Sequence, residues 1–98
     1  MNSLENVSPN IAQDMELKKL KEEVLKKLNE YRHHMTFMAT DAPLAVLCLP
    51  KVIENALLDY GCLRIYDLLD VDFTEIKGLG VTRIRHLTAS LDKFVSMF

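Results

Sequence analysis

Between Ile76 and Leu87 the chain reads Ile-Lys-Gly-Leu-Gly-Val-Thr-Arg-Ile-Arg-His-Leu, two glycines around one apolar residue with a helical pattern following at once. Glycine tolerates backbone conformations and close approaches that a β-carbon forbids. Such a turn presents bare backbone N–H groups at the start of a helix, where the macrodipole favours an anion. Lys77, Arg83 and Arg85 add cations, His86 an imidazole and Thr82 a hydroxyl. The chemistry that fits is contact with a phosphate of a nucleic acid backbone, made through Lys77, Gly78, Gly80, Thr82, Arg83, Arg85 and His86 in the pattern of a helix-hairpin-helix. The same residues also suit a bare structural role, in which Leu79 tucks inward and the glycines only let two helices turn closely.

Other chemistry is poorly served. Catalysis needs a nucleophile beside a base or a convergent set of ligands. Cys48, Cys62, His33, His34 and His86 form no such set, so the chain is expected not to be an enzyme and to carry no cofactor. His33 and His34 are adjacent, which turns them about 100° apart on a helix, so the two rings do not converge on one ion. They read as solvated side chains at a helix end, with no metal. The two cysteines read as buried or half-buried free thiols of a reducing cytoplasm, and whether they pair is left open. No apolar run approaches the roughly 18–20 residues of a membrane span, and the first residues lack the pattern of a secretory signal.

The 98 residues suit one small domain plus an appendage. An apolar share of 49% supplies a core, and a net charge of −2 rules out bulk coating of nucleic acid. The charge is unevenly spread. From Ile76 onward Lys77, Arg83, Arg85 and Lys93 face one acid, Asp92, whereas acids dominate between Asp59 and Glu75. A basic end and an acidic end suit a phosphate contact on one face and a protein contact on another.

The elements that must position the turn are helical. Residues 1–13 are polar and aperiodic and read as a disordered tail. Over 14–36, Leu17, Leu20, Val24, Leu28, Tyr31 and Met35 recur at spacings of three or four, the single apolar stripe of an amphipathic helix. One stripe is only marginally stable in water, so this helix serves oligomerisation or docking, against the rest of the chain or a second copy. Residues 37–46 read as a linker and 47–98 as a set of short helices. Pro50 suits a first helical position, with Val52, Ile53, Ala56, Leu57 and Tyr60 on one apolar face, and Gly61 suits a left-handed stop. A short helix is expected around Ile65–Leu69. Asp72-Phe73-Thr74-Glu75 resembles a capping box for a further turn ending at Gly78. The last helix is expected from Thr82 to Val95, burying Ile84, Leu87, Leu91 and Phe94 or Val95. No alternating run of β-branched residues appears, so the class is all-α: four to five short helices preceded by one longer amphipathic helix.

Leu49-Pro50-Lys51-Val52-Ile53-Glu54-Asn55-Ala56-Leu57, then Gly61, then Tyr66-Asp67-Leu68-Leu69, then Ile76-Lys77-Gly78-Leu79-Gly80 together resemble the C-terminal domain of the bacterial RNA polymerase α subunit, over about residues 47–91. The resemblance implies four short helices and a fifth non-standard turn, minor-groove DNA binding, and docking of transcription activators. It places a DNA-contacting asparagine at Asn55, a phosphate-facing glycine at Gly80, and the cation and hydroxyl of the last helix at Arg83 and Thr82, in opposite order. The family's principal minor-groove arginine falls on Val52, and the loop before Gly78 is shorter than the family's. An arginine in a narrow minor groove supplies much of the attraction there.

The function expected is therefore a non-enzymatic, transcription-related DNA-binding protein making a weak, largely sequence-independent contact. RNA polymerase or a transcription regulator is a further partner, and a homodimer through the N-terminal helix would add avidity. The alternative is a helical protein–protein interaction module that does not bind DNA.

Overall fold

Pro9 opens the longest element. The computed structural model describes residues 9–38 and 41–97, with side chains over 12–35 and 41–97. Helix α1 runs from Pro9 to Met38, about 45 Å at 1.5 Å per residue. It starts earlier than the period indicates, taking in residues 9–13 that polarity alone assigns to a tail. Proline is pre-organised for a first helical position, and a helix can continue through residues that add no apolar period. The expected tail over 1–8, and 39–40 of the expected linker, lie outside the described residues.

The apolar stripe of α1 is buried within the chain itself. Leu17 and Leu20 are buried, and Val24, Leu28 and Tyr31 are wholly so. They share one core with Leu57, Ile65, Leu68, Phe73, Ile84, Leu87, Leu91 and Val95, and Met35 packs at its edge. Docking in cis is thus what the stripe does, and from Leu17 to Tyr31 it offers no face to a second copy. Helix α2 (Lys51–Tyr60) and helix α3 (Val81–Val95) complete the α-helices among the described residues, with 3₁₀ turns at Leu44–Leu47 and Ile65–Asp70. No described residue forms a strand, and the one β-bridge, Pro43 with Arg64, is isolated. The class is all-α.

Helices α1 and α3 run in the same direction. Gln13 stands beside Gly80, Glu16 pairs with Arg85 and Lys27 with Asp92, and the Tyr31 and Phe94 rings meet at 5.9 Å. Contacts climb both helices together. Two consecutive helices cannot be parallel across a short loop, so the segment between them must travel back along the bundle, and α2 with the two 3₁₀ turns does so.

That return path starts under tight control. The Tyr31 hydroxyl donates to Asp41 Oδ1 and accepts from the Ala42 N–H, each at 2.8 Å. Asp41 in turn accepts from the Tyr66 N–H at 3.2 Å, and its carbonyl accepts from Arg64 Nη1 at 2.6 Å. Backbone bonds from Leu44 to Leu63 and from Ile65 to Ala42, both 3.0 Å, close the bracket. The expected linker is therefore pinned from Asp41 onward, and Leu44 and Leu47 are core residues.

Three local expectations are corrected. Pro50 is the N-cap of α2 instead of its first residue, and Val52 is exposed. Asp72 Oδ1 accepts from the Thr74 N–H at 2.9 Å and its hydroxyl at 2.6 Å, an Asx turn in place of a capping box. A short side chain that satisfies the next backbone donors competes with helix initiation. The capping carboxylate stands earlier, where Asp67 accepts the Leu63 and Arg64 N–H groups at 2.9 Å, bonds that hold its pKa below the usual carboxylate value. Finally, both cysteines are free, but only Cys62 is buried and Cys48 is exposed.

Burial, reinforced by the Asp41 carboxylate, pushes the Tyr31 phenol up from 10.0 to about 12. A raised acid stabilises the fold while neutral, so its share is intact below pH 10.0 and lost as pH climbs toward about 12. Urea midpoints should fall across that window, and Tyr31→Phe should flatten this part of the fall. At neutral pH the same variant should lose about 1–3 kcal/mol, since the Ala42 N–H and Asp41 lose a partner; an unchanged midpoint would show that the bracket carries no load.

Candidate nucleic-acid interface

Four buried side chains hold the segment leading to α3 although it has no regular structure: Val71, Phe73, Ile76 and Leu79. Ahead of the turn stands the Ile65–Asp70 3₁₀ turn, not an α-helix. Lys21 of α1 secures that junction. Its ammonium donates to the carbonyls of Leu68 and Leu69 at 3.0 Å and also to that of Val71, 5.5 Å from the centre of the Phe73 ring. Burial lowers the Lys21 pKa, a cost offset by charge-assisted bonds to carbonyls at the end of a turn. Nothing in its surroundings in sequence separates Lys21 from its solvated neighbours; its role comes from the packing angle of α1.

The two glycines do different work. Gly78 has φ +84° and needs to be glycine for its conformation. Gly80 has φ −92°, open to any residue, and serves as the N-cap of α3 with no side-chain cap. The first N–H groups of a helix have no intrahelical partner, so those of Val81, Thr82 and Arg83 are open to an external acceptor. Thr82 is exposed inside the first turn, where it caps nothing.

Around this opening the expected residues fare unequally. Lys77, Thr82, Arg83, Arg85 and His86 are all exposed. Arg83 Nη1 donates to the Gly78 carbonyl at 2.6 Å, bracing the turn with one of its donors. Arg85 Nη2 is held by Glu16 Oε2 at 3.0 Å. Asn55 is exposed on α2, apart from the hydrogen bonds that brace the turn. Beyond Arg85, the groove between α1 and α3 is rimmed by Glu16, Glu23, Glu30 and Asp92 against Lys26 and Lys27. An anion is therefore favoured at the Gly80 end and opposed further along.

Sequence reasoning missed Gln13 and Glu16, which α1 brings over the start of α3. They lie at the opposite end of the chain from the turn, and only the parallel packing joins them. Among the described residues no group of His, Cys, Asp and Glu is arranged to hold a metal ion, and no helix is long and apolar enough to cross a membrane. Comparisons with the profiles of known protein families, with curated proteins and with solved structures give no match.

The different needs of the two glycines are measurable. Gly78→Ala should cost about 1–2 kcal/mol, the penalty of placing a β-carbon in the left-handed region. A β-carbon at Gly80 would stand 3.2 Å from Gln13 Nε2, the mobile end of a long side chain that can move aside. Gly80→Ala should therefore shift stability by less than about 1 kcal/mol in either direction. Thermal unfolding of the two variants checks the order; equal losses would mean that the turn differs from this geometry.

Proposed function

We propose that this chain is a non-enzymatic DNA-binding protein that makes a weak, largely sequence-independent contact with duplex DNA through the start of α3, in a transcription-related setting. The observation that carries the reading is the open first turn of α3 behind a glycine N-cap, with Lys77, Thr82, Arg83 and His86 exposed around it. Arg83 still has donors to spare after bracing the turn, since a guanidinium carries five N–H groups. The resemblance to the polymerase α C-terminal domain supports the same surface, with Asn55 as a helper. It also explains the expected weakness: the family's minor-groove arginine is replaced by Val52, whose exposed side chain brings no charge. Because α1 supplies part of the core, the binding unit is the full chain.

The test is anisotropy of a labelled random-sequence duplex with the full chain across a salt series. With three phosphate contacts the logarithm of the binding constant should fall with the logarithm of salt at a slope of about −2.7. Lys77→Glu and Arg83→Glu should each weaken binding at least fivefold, and Gly80→Ala should weaken it without unfolding the protein. Affinity unmoved by all three would overturn the reading.

A second reading is a helical interaction module whose partner is RNA polymerase or a transcription regulator. It is favoured by the internal acceptors that Arg83 and Arg85 already have. Absence of duplex binding at low salt, by the protein and by its charge variants alike, would support it.

A further inference from the structure

Between Ala12 and Glu16, the part of the start of α1 whose side chains are described, no side chain is buried. The buried stripe starts at Leu17, while Ala12, Asp14 and Met15 are exposed. Gln13 and Glu16 are half-buried and stand at the edge of the candidate interface, Gln13 beside Gly80 and Glu16 against Arg85. The Gln13 amide lies 3.2 Å from the point where a β-carbon of Gly80 would stand. The Glu16 carboxylate accepts from the Arg85 guanidinium at 3.0 Å, as a phosphate oxygen would.

We infer that Gln13 and Glu16 form a built-in competitor for the DNA contact: the carboxylate holds Arg85 and the amide stands beside Gly80 where a phosphate would approach, so DNA must displace them. The inference rests on the proposed DNA reading and concerns how that same surface is regulated. The lock is weak by construction. Its ion pair is exposed on the Arg85 side, where side-chain exposure is 60%, and exposed pairs contribute little. Displacing two side chains, Gln13 and Glu16, costs little compared with unseating the buried stripe that starts at Leu17. A polyanion can therefore take Arg85 and leave the core from Leu17 onward undisturbed.

The experiment compares the full-length wild type, Glu16→Gln, Glu16→Gln/Arg85→Gln and Glu22→Gln on the same labelled duplex across a salt series, with urea midpoints to confirm folding. Glu22 is exposed and lies about 9 Å further along α1 at the helical rise, so its variant removes a negative charge without touching Arg85. Releasing Arg85 should tighten binding roughly two- to fivefold, the range by which exposed ion pairs compete. It should also steepen the salt slope by about 0.9, one added phosphate contact. Both effects should vanish in the double variant and be absent from Glu22→Gln. Binding by Glu16→Gln where the wild type shows none would support the inference most directly. Equal tightening by Glu22→Gln would overturn it as a bulk charge effect. Unchanged affinity in Glu16→Gln, with a wild type that binds, would overturn the competition and leave the DNA contact standing. Failure of every variant to bind would remove the DNA contact itself, and the inference with it.

Discussion

Tyr31 is the junction through which the elements of this protein are joined. Its ring is buried against the core and meets Phe94 of α3, while its hydroxyl accepts from Ala42 and donates to Asp41. Asp41 then reaches the Tyr66 N–H near the start of the second 3₁₀ turn. One side chain therefore connects α1, α3, the returning segment and the element that leads to the Gly78–Gly80 turn. Apolar burial provides most of the stabilisation, each large side chain being worth about 1.5–3 kcal/mol, but burial is non-directional. The hydroxyl and the carboxylate decide where the chain leaves α1, and the parallel arrangement of α1 and α3 depends on that exit.

A second support acts further along the same route. Lys21 reaches from α1 to the carbonyls of Leu68, Leu69 and Val71, holding the segment between the 3₁₀ turn and Phe73. Both polar supports come from the helix whose stripe fills the core. Helix α1 is thus part of the domain fold, and the segment that leads to the candidate interface is held by it. A fragment lacking α1 would lose five buried core residues, Leu17, Leu20, Val24, Leu28 and Tyr31, together with Lys21.

What could be read from the sequence was whatever depends on local periodicity and backbone chemistry. The stripe from Leu17 to Met35, the stop at Gly61 and the helix beginning near Thr82 all announce themselves through spacing or through glycine. The failures share a cause. Residues 9–13 looked like a tail because polar residues carry no period, yet a helix continues through them. Asp72 looked like a helix cap because a carboxylate before a Thr-Glu pair serves either a cap or an Asx turn, and its bonds to Thr74 form the latter. At the interface, Gly78 was legible because positive φ has a residue preference. The partner of Arg85 was not, since Glu16 lies 69 positions away and no local rule reaches that far.

The same long-range packing sets the electrostatic character of the interface. Taken alone, the stretch from Ile76 onward is basic, with Lys77, Arg83, Arg85 and Lys93 against Asp92. Folded beside α1, it faces Glu16, Glu23 and Glu30, and the ion pairs Glu16–Arg85 and Lys27–Asp92 cross the groove. The groove beside α3 is thereby mixed in charge, with Lys26 and Lys27 among the carboxylates, while Lys77 and Arg83 flank the end where α3 begins. A phosphate backbone laid along α3 would meet carboxylates within a few turns, inside the roughly 8–10 Å over which charges act at moderate salt. Under the proposed DNA reading, the duplex would touch α3 end-on at Gly80 and would not run the length of the helix. That restriction comes from α1, the same helix that completes the core.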